Sequence, residues 1–329
     1  MRALVSELVN EKVVTRLVDR DEPKIDDGEV LIRARFSSLN YKDALAVTGK
    51  GKIFKGYPRI GGIDVSGEIV DSKAPDFDFQ PGDEVIITGC NLGEVYDGGF
   101  AEYVKFKAES VIPLPPSLTM EEAMVFGTAG FTAALCFQRL IQNDQTPEKG
   151  SIVVTGASGG VGTFAVKFLS QSGFQVIAIS SKRERYDFLK SLGADTVCDM
   201  SGLSLGDRPL ENVKFGGAVD NVGGNTLARL SHHINIYGNI ACVGLAESHE
   251  MNFSVMPLIL RGVSLLGISS NNCPMQLRQN LWQWLATELK PKNLHSFVSE
   301  TGTLSNVCNL AEKMLKRQTW GRILIRCES

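Results

Sequence analysis

The stretch with the clearest chemical meaning is Thr155-Gly156-Ala157-Ser158-Gly159-Gly160-Val161-Gly162. Ser151-Ile152-Val153-Val154 ahead of it reads as a short buried strand, and Thr163-Phe164-Ala165-Val166-Lys167-Phe168-Leu169 after it has helical spacing of its apolar groups. Strand, glycine turn and helix in that order set a helix N-terminus against the end of a sheet. Backbone N–H groups and the helix dipole attract a pyrophosphate there. The pattern is A-x-G-x-x-G, with Ala157 where the first glycine usually stands. It predicts a dinucleotide held by Ser158, Gly159, Gly160 and Val161, against the alternative of a tight turn without a ligand.

The next strand, Gln175-Val176-Ile177-Ala178-Ile179-Ser180, says which dinucleotide. An NAD site usually ends this strand with Asp or Glu, which accepts from the ribose hydroxyls. Here the chain continues Ser180-Ser181-Lys182-Arg183-Glu184-Arg185. A 2′-phosphate meets no like charge at the strand end, and Ser180, Ser181, Lys182 and Arg183 offer hydroxyls and cations to bind it. The cofactor expected is NADP(H); a solvated charged helix start is the alternative. Cations are disfavoured by the dipole at a helix N-terminus, which argues for a bound anion.

These residues need a scaffold. The first third of the chain reads as short strands, Val30–Phe36, Gly67–Val70, Glu84–Ile87 and Gly98–Val104, broken by glycine and proline turns such as Pro81-Gly82-Asp83. That pattern suggests a barrel-like domain. From Ser117 onward strands and helices alternate, with later strands at Gly217–Asp220, Gly238–Val243 and Val263–Ile268. Alternation predicts an α/β fold with a doubly wound parallel sheet. Pro274–Leu289 reads as a helix with Trp282 and Leu285 on one face, and Gly321–Arg326 as a strand returning to the first domain's sheet. The expected division is 1–120 with 269–329 for the β-rich domain, and 121–268 for the nucleotide domain.

Composition sets bounds. The 329 residues suit two domains, and a net charge of −3 gives no reason to expect nucleic acid or an anionic membrane as partner. No apolar run approaching the roughly 20 residues of a bilayer span is expected, nor a secretory signal at Met1–Glu7. The 7 scattered cysteines, with no C-x-x-C pair, read as reduced thiols of a cytoplasmic protein.

A β-rich domain, a nucleotide domain and a C-terminal return together resemble the medium-chain dehydrogenase/reductase superfamily. The carriers are Ser37–Ala44, Gly61–Gly67 (GGIDVSG), Gly127–Ala133 (GTAGFTA) and the Ala157–Gly162 loop. The resemblance implies a GroES-like barrel for the first domain and a Rossmann sheet for the second. The zinc-dependent branch places Cys and a His-Glu pair where this chain has Asn40 and Ile63-Asp64, so no catalytic metal is expected and Asp64 should pair with a nearby cation. Asn40–Lys52 and Gly127–Ala133 resemble the YhdH/YhfP-type reductases. That group is associated with NADPH-dependent reduction of acryloyl-CoA to propanoyl-CoA, which the resemblance alone implies.

Metal-free alkene reduction is coherent chemistry. Hydride attacks the β-carbon of an alkene conjugated to a carbonyl, donors stabilise the developing oxyanion, and the α-carbon takes a proton. Tyr41 is the candidate donor or nicotinamide contact, because a phenol donates a hydrogen bond at neutral pH. A half-buried packing tyrosine is its alternative. Asn40 and Asp43 are candidate orienting residues for Tyr41 and Lys42, with Asp43 alternatively capping the next helix. Thr128, Leu245, Ser269 and Ser270 are expected near the nicotinamide half of the cofactor. Lys50, Lys52, Lys55 and Arg59 are candidate contacts for the phosphates of a CoA thioester. A broad NADPH:quinone or enone oxidoreductase, or a non-catalytic NADPH-binding regulatory protein, are the competing functions. Val263–Ile268, as an edge strand, predicts a homodimer.

Overall fold

The computed structural model describes residues 1–328. They form two compact units, one from Met1 to Thr128 together with the chain from Ser270 onward, the other Ala129–Ser269. The expected division at 120/121 falls at the first residue of a helix that begins in one unit and continues into the other.

The first stretch carries β1 (Arg2–Val9), β2 (Lys12–Asp19), β3 (Glu29–Leu39), α1 (Tyr41–Val47), β4 (Arg59–Ile60), β5 (Asp64–Ser72), β6 (Glu84–Thr88), β7 (Tyr103–Lys107) and β8 (Ile112–Pro113). Then come α2 (Met120–Gln142), β9 (Ile152–Val154), α3 (Gly160–Gln171), β10 (Val176–Ile179), α4 (Tyr186–Ser191), β11 (Thr196–Cys198), β12 (Phe215–Asp220), α5 (Gly224–Ser231), β13 (Ile234–Cys242), α6 (Met256–Arg261) and β14 (Ser264–Gly267). The return holds α7 (Met275–Ala286), β15 (Val298–Thr303), α8 (Val307–Leu315) and β16 (Arg322–Arg326).

In the first unit, β2-β1-β4 form one sheet, and β15-β16-β3-β5-β6-β8 form a second, with β7 also on β3. β3 is the hinge of this architecture: its alternating apolar residues Val30, Ile32 and Ala34 are all fully buried. The closing strand β16 pairs antiparallel with β3, Ile323 opposite Leu39 and Arg326 opposite Phe36. Trp282 and Leu285 of α7 are both fully buried, as their spacing predicts.

The second unit is a parallel sheet in the order β11-β10-β9-β12-β13-β14. All six residues of β12 are buried, as a strand covered on both faces requires. The order reverses between β9 and β12, and in such sheets ligands bind outside the carboxyl ends of the strands at that reversal. β14 is an edge strand.

One expectation is corrected. α2 runs for 23 residues, and its most apolar 18-residue window has a mean hydropathy of 1.4, enough by length and composition for a bilayer span. The window is 78% buried inside the fold, and the helix is broken at Gly127 (φ 48°, ψ −155°). Gly127, Thr128, Gly130 and Thr132 interrupt the apolar run without breaking its burial, which hides the element from a search for an unbroken stretch.

Candidate active site

The glycine turn of the second unit is built around close backbone approach. Thr155 N–H donates to Val219 O (3.1 Å) and Ala157 N–H to Ile179 O (2.9 Å), so the turn is tied to both strands flanking β9. Gly156 takes φ +57°, which L-residues rarely adopt, whereas Ala157 needs no positive φ. A Cβ on Gly162 would lie 2.4 Å from Gly156 O, so only glycine lets α3 sit this close to the turn.

α3 opens at Gly159 with no side-chain cap and no acidic residue in its first turn. The amides of Gly160, Val161 and Gly162 therefore face outward as donors, an arrangement that fits a pyrophosphate. Asp220, fully buried at the end of β12, accepts from Thr155 Oγ1 (2.7 Å) and from Gly223 N–H (2.7 Å). Asn221 Nδ2 donates to Thr155 O (2.7 Å). These bonds pin the ends of β9 and β12 together at the reversal. Burial pushes the Asp220 carboxyl above the ordinary carboxylate range, against the pull of its donors.

Beyond β10, Ser180 Oγ donates to Ser158 Oγ (2.9 Å) and accepts from Lys182 N–H (3.1 Å). The pair joins the glycine turn to the expected 2′-phosphate end. Lys182 is half-buried, and burial lowers its pKa from the ordinary lysine value. Ser181 is exposed. Arg183, with 82% of its side chain exposed, pairs with Asp199 at 3.4 Å. An exposed pair of this kind is weak and yields readily to a dianion. Leu245 is 59% exposed after β13, and Ser269 is exposed after β14.

The first unit holds a different construction. Asp64, at the start of β5, and Arg322, at the start of β16, are buried 3.7 Å apart, with side chains 0% and 3% exposed. Asp64 accepts from Ser38 Oγ (2.5 Å), Asn40 Nδ2 (2.8 Å), Thr128 N–H (2.9 Å) and Thr128 Oγ1 (2.6 Å). Arg322 is thus the cation expected beside Asp64. Asn40 caps α1, and Asp43 returns the favour by accepting from Asn40 N–H (2.9 Å). Asp43 also accepts from Ile63 N–H (2.9 Å). Burial first, then Asp64, pushes the Asp43 carboxyl up to about 7, while its three N–H donors pull the other way.

Asp43 reaches neither Tyr41 nor Lys42: Lys42 pairs with Glu94 at 2.8 Å, and Tyr41 is 47% exposed at the first turn of α1. The Thr128 hydroxyl donates to Asp64 (2.6 Å), and the Ser270 carbonyl accepts from Arg278 (2.6 Å). Lys50 and Arg59 are paired with Glu312 and Asp97, while Lys52 and Lys55 are exposed.

Comparison with known proteins places this geometry. The family description "Alcohol dehydrogenase GroES-like domain" matches residues 26–116, and "Zinc-binding dehydrogenase" matches residues 160–287. YhfP of Bacillus subtilis (strain 168), provisionally named a quinone oxidoreductase, is 43% identical over 95% of this chain and 94% of its own. The chain belongs to the medium-chain dehydrogenase/reductase superfamily. As a member it is an oxidoreductase working with a nicotinamide dinucleotide. Acrylyl-CoA reductase AcuI of Ruegeria pomeroyi is 37% identical over 91% of this chain and 90% of its own. The crystal structure of YhdH from E. coli K-12 with bound NADPH superposes with a TM-score of 0.94 at 40% identity, covering 99% of this chain and 100% of that one. Bacillus subtilis YhfP with NAD bound gives 0.93 at 41%, covering 99% and 98%.

The second family description speaks of zinc, and the residues here do not fit that metal. Among the described residues no three His, Cys, Asp or Glu side chains gather as ligands, and the Asp64 oxygens already accept four donors. Arg322 lies outside every motif singled out in the sequence, whereas Ser38 and Gly127 fall within Ser37–Ala44 and Gly127–Ala133. β16 reads Arg322-Ile323-Leu324-Ile325-Arg326, and only its first arginine is buried, which the sequence alone does not distinguish from the exposed one at its end.

Proposed function

We infer that the protein reduces a carbon–carbon double bond conjugated to a carbonyl, with NADPH as reductant and acryloyl-CoA as substrate. Support for the phosphorylated cofactor is the end of β10, where the position after the strand is Ser180 rather than Asp or Glu, followed by Ser181, Lys182 and Arg183. This is the observation that carries the reading. Ser158, Gly159, Gly160 and Val161 would hold the pyrophosphate on the open N-terminus of α3. Leu245, Ser269 and Ser270 would line the nicotinamide half. Bound NADPH supplies the hydride equivalent that an electron-poor β-carbon accepts.

The chain's own part is orientation and proton supply. Tyr41, exposed at the first turn of α1, donates toward the thioester carbonyl as charge develops there. Asn40 and Asp43 hold that turn, and Thr128 is fixed beside it by Asp64. Lys52 and Lys55, exposed, are the cations left for CoA phosphates. The relatives named for acrylyl-CoA reduction support the thioester, and YhfP's name supports a quinone as the second reading. The protein is read as a cytoplasmic homodimer, paired through the edge strand β14.

NADPH oxidation over short-chain enoyl-CoA esters and a simple quinone, with NADH as control, tests this. Acryloyl-CoA should be turned over fastest and with NADPH. Quinone turnover alone favours the second reading, and tight NADPH binding without turnover of any substrate favours a regulatory protein.

A further inference from the structure

Arg322 lies at the centre of the buried cluster, and all three of its nitrogens are engaged. Nε donates to Val125 O (2.9 Å), Nη1 to Asn40 Oδ1 (3.2 Å) and Nη2 to Ser38 Oγ (2.7 Å). Those acceptors come from the first half of α2, the cap of α1 and the end of β3. A guanidinium is planar, so it fixes the mutual spacing of three segments in a way a flexible ammonium cannot.

Asp64 completes the arrangement from the other side of the break in α2. A broken helix leaves a carbonyl before the break and an amide after it without their usual partners. Here Val125 O goes to Arg322, and Thr128 N–H goes to Asp64. There is no slack at the join: a Cβ on Gly127 would lie 2.5 Å from Asp64 Oδ2 and 2.7 Å from both Arg322 Nη2 and Ser38 Oγ. Asn40, clamped by Arg322, Asp64 and Asp43, is the residue before Tyr41.

We propose that Arg322 is a positioning residue for the reduction: without touching substrate, it sets where Tyr41 and Thr128 stand by holding the cap of α1 and the break of α2 at fixed spacing. This rests on the reading that α1 and Thr128 face the reacting groups. Stability alone does not require it, because a buried ion pair is commonly no more stabilising than apolar residues of the same shape. Placement is the reason to keep it, since a shift of about 1 Å at a reacting group lowers turnover steeply.

Two variants test this, with acryloyl-CoA as probe or benzoquinone where only the quinone is reduced. Arg322→Lys keeps the charge but cannot bridge three acceptors. Arg322→Met with Asp64→Asn removes both charges and the cost of burying them. Both should lower kcat about tenfold or more, with the NADPH dissociation constant, read from cofactor fluorescence, within about twofold of wild type. Circular dichroism should show both folded at the assay temperature. Wild-type kcat in either folded variant overturns the proposal, as does an Arg322→Lys protein that fails to fold or loses NADPH affinity by the same factor as kcat. Tyr41→Phe, run in parallel, separates the two ideas. Full turnover in Tyr41→Phe removes the proton-donor reading and leaves the Arg322 result standing; no turnover by the wild type with either probe sinks the underlying function itself.

Discussion

Two helix N-termini in this molecule are treated in opposite ways. α3 in the parallel-sheet unit starts at Gly159 with no side-chain cap and no acidic residue in its first turn. In the β-rich unit α1 starts with Asp43 accepting from Asn40 N–H, and the break of α2 sets Thr128 N–H on the Asp64 carboxylate. Every helix start carries partial positive charge and unpaired donors. One unit leaves them open for an outside anion, and the other fills them with its own carboxylates. The difference separates a ligand cradle from a rigid mount.

Closing the open site should have the largest effect. Gly162→Val places a side chain against Gly156 O, where even a Cβ would lie at 2.4 Å. NADPH affinity should fall about a hundredfold or more, roughly 3 kcal/mol, by fluorescence titration, with the first unit's fold untouched. Loosening the sealed site comes next. Gly127→Ala meets Asp64, Arg322 and Ser38 at 2.5–2.7 Å and demands φ +48° of an L-residue. Urea unfolding should show a loss of about 2–4 kcal/mol, and a loss under 1 kcal/mol would mean the cluster is not rigid.

Arg183→Ala addresses the edge of the cradle. It should weaken NADPH about tenfold, with NADH barely changed, because only the former carries a 2′-phosphate. Equal loss for both cofactors would place Arg183 elsewhere. The smallest effect concerns Asp43, whose carboxyl is raised to about 7 from an unfolded value near 3.8, burial being the chief cause. The folded state then binds a proton that the unfolded state releases. This contribution to stability is fully present below the unfolded pKa and is lost as pH rises through about 7. Asp43→Asn should flatten the fall in stability between pH 4 and 7; an unchanged slope would show that the three N–H donors hold Asp43 ionised throughout.

Much of the fold was legible because its signals are local. The A-x-G-x-x-G turn, the alternation of β3 and the apolar strands of the Rossmann sheet depend on neighbours in sequence. The glycine turn, read as phosphate-binding, leads into a helix with no side-chain cap. The site in the first unit was half legible. Asn40, Asp43 and Asp64 stood out within the motifs that carry the resemblance, and a cation beside Asp64 was expected, but nothing local named Arg322 as that cation. Thr128, expected near the cofactor, donates its hydroxyl proton to Asp64, 64 residues away in sequence, a pairing no local pattern announces.

By itself the sequence determined the superfamily, the glycine turn between strand and helix, and the hydroxyls and cations that follow β10, since each rests on the chemistry of contiguous residues. Only the tertiary structure decided that Arg322 serves Asp64 and Asn40, 258 and 282 positions earlier. A buried charge must find its counter-charge, but which one it finds depends on the strands that bring the two ends of the chain together. β16 lies on β3, and that pairing delivers the cation under α1.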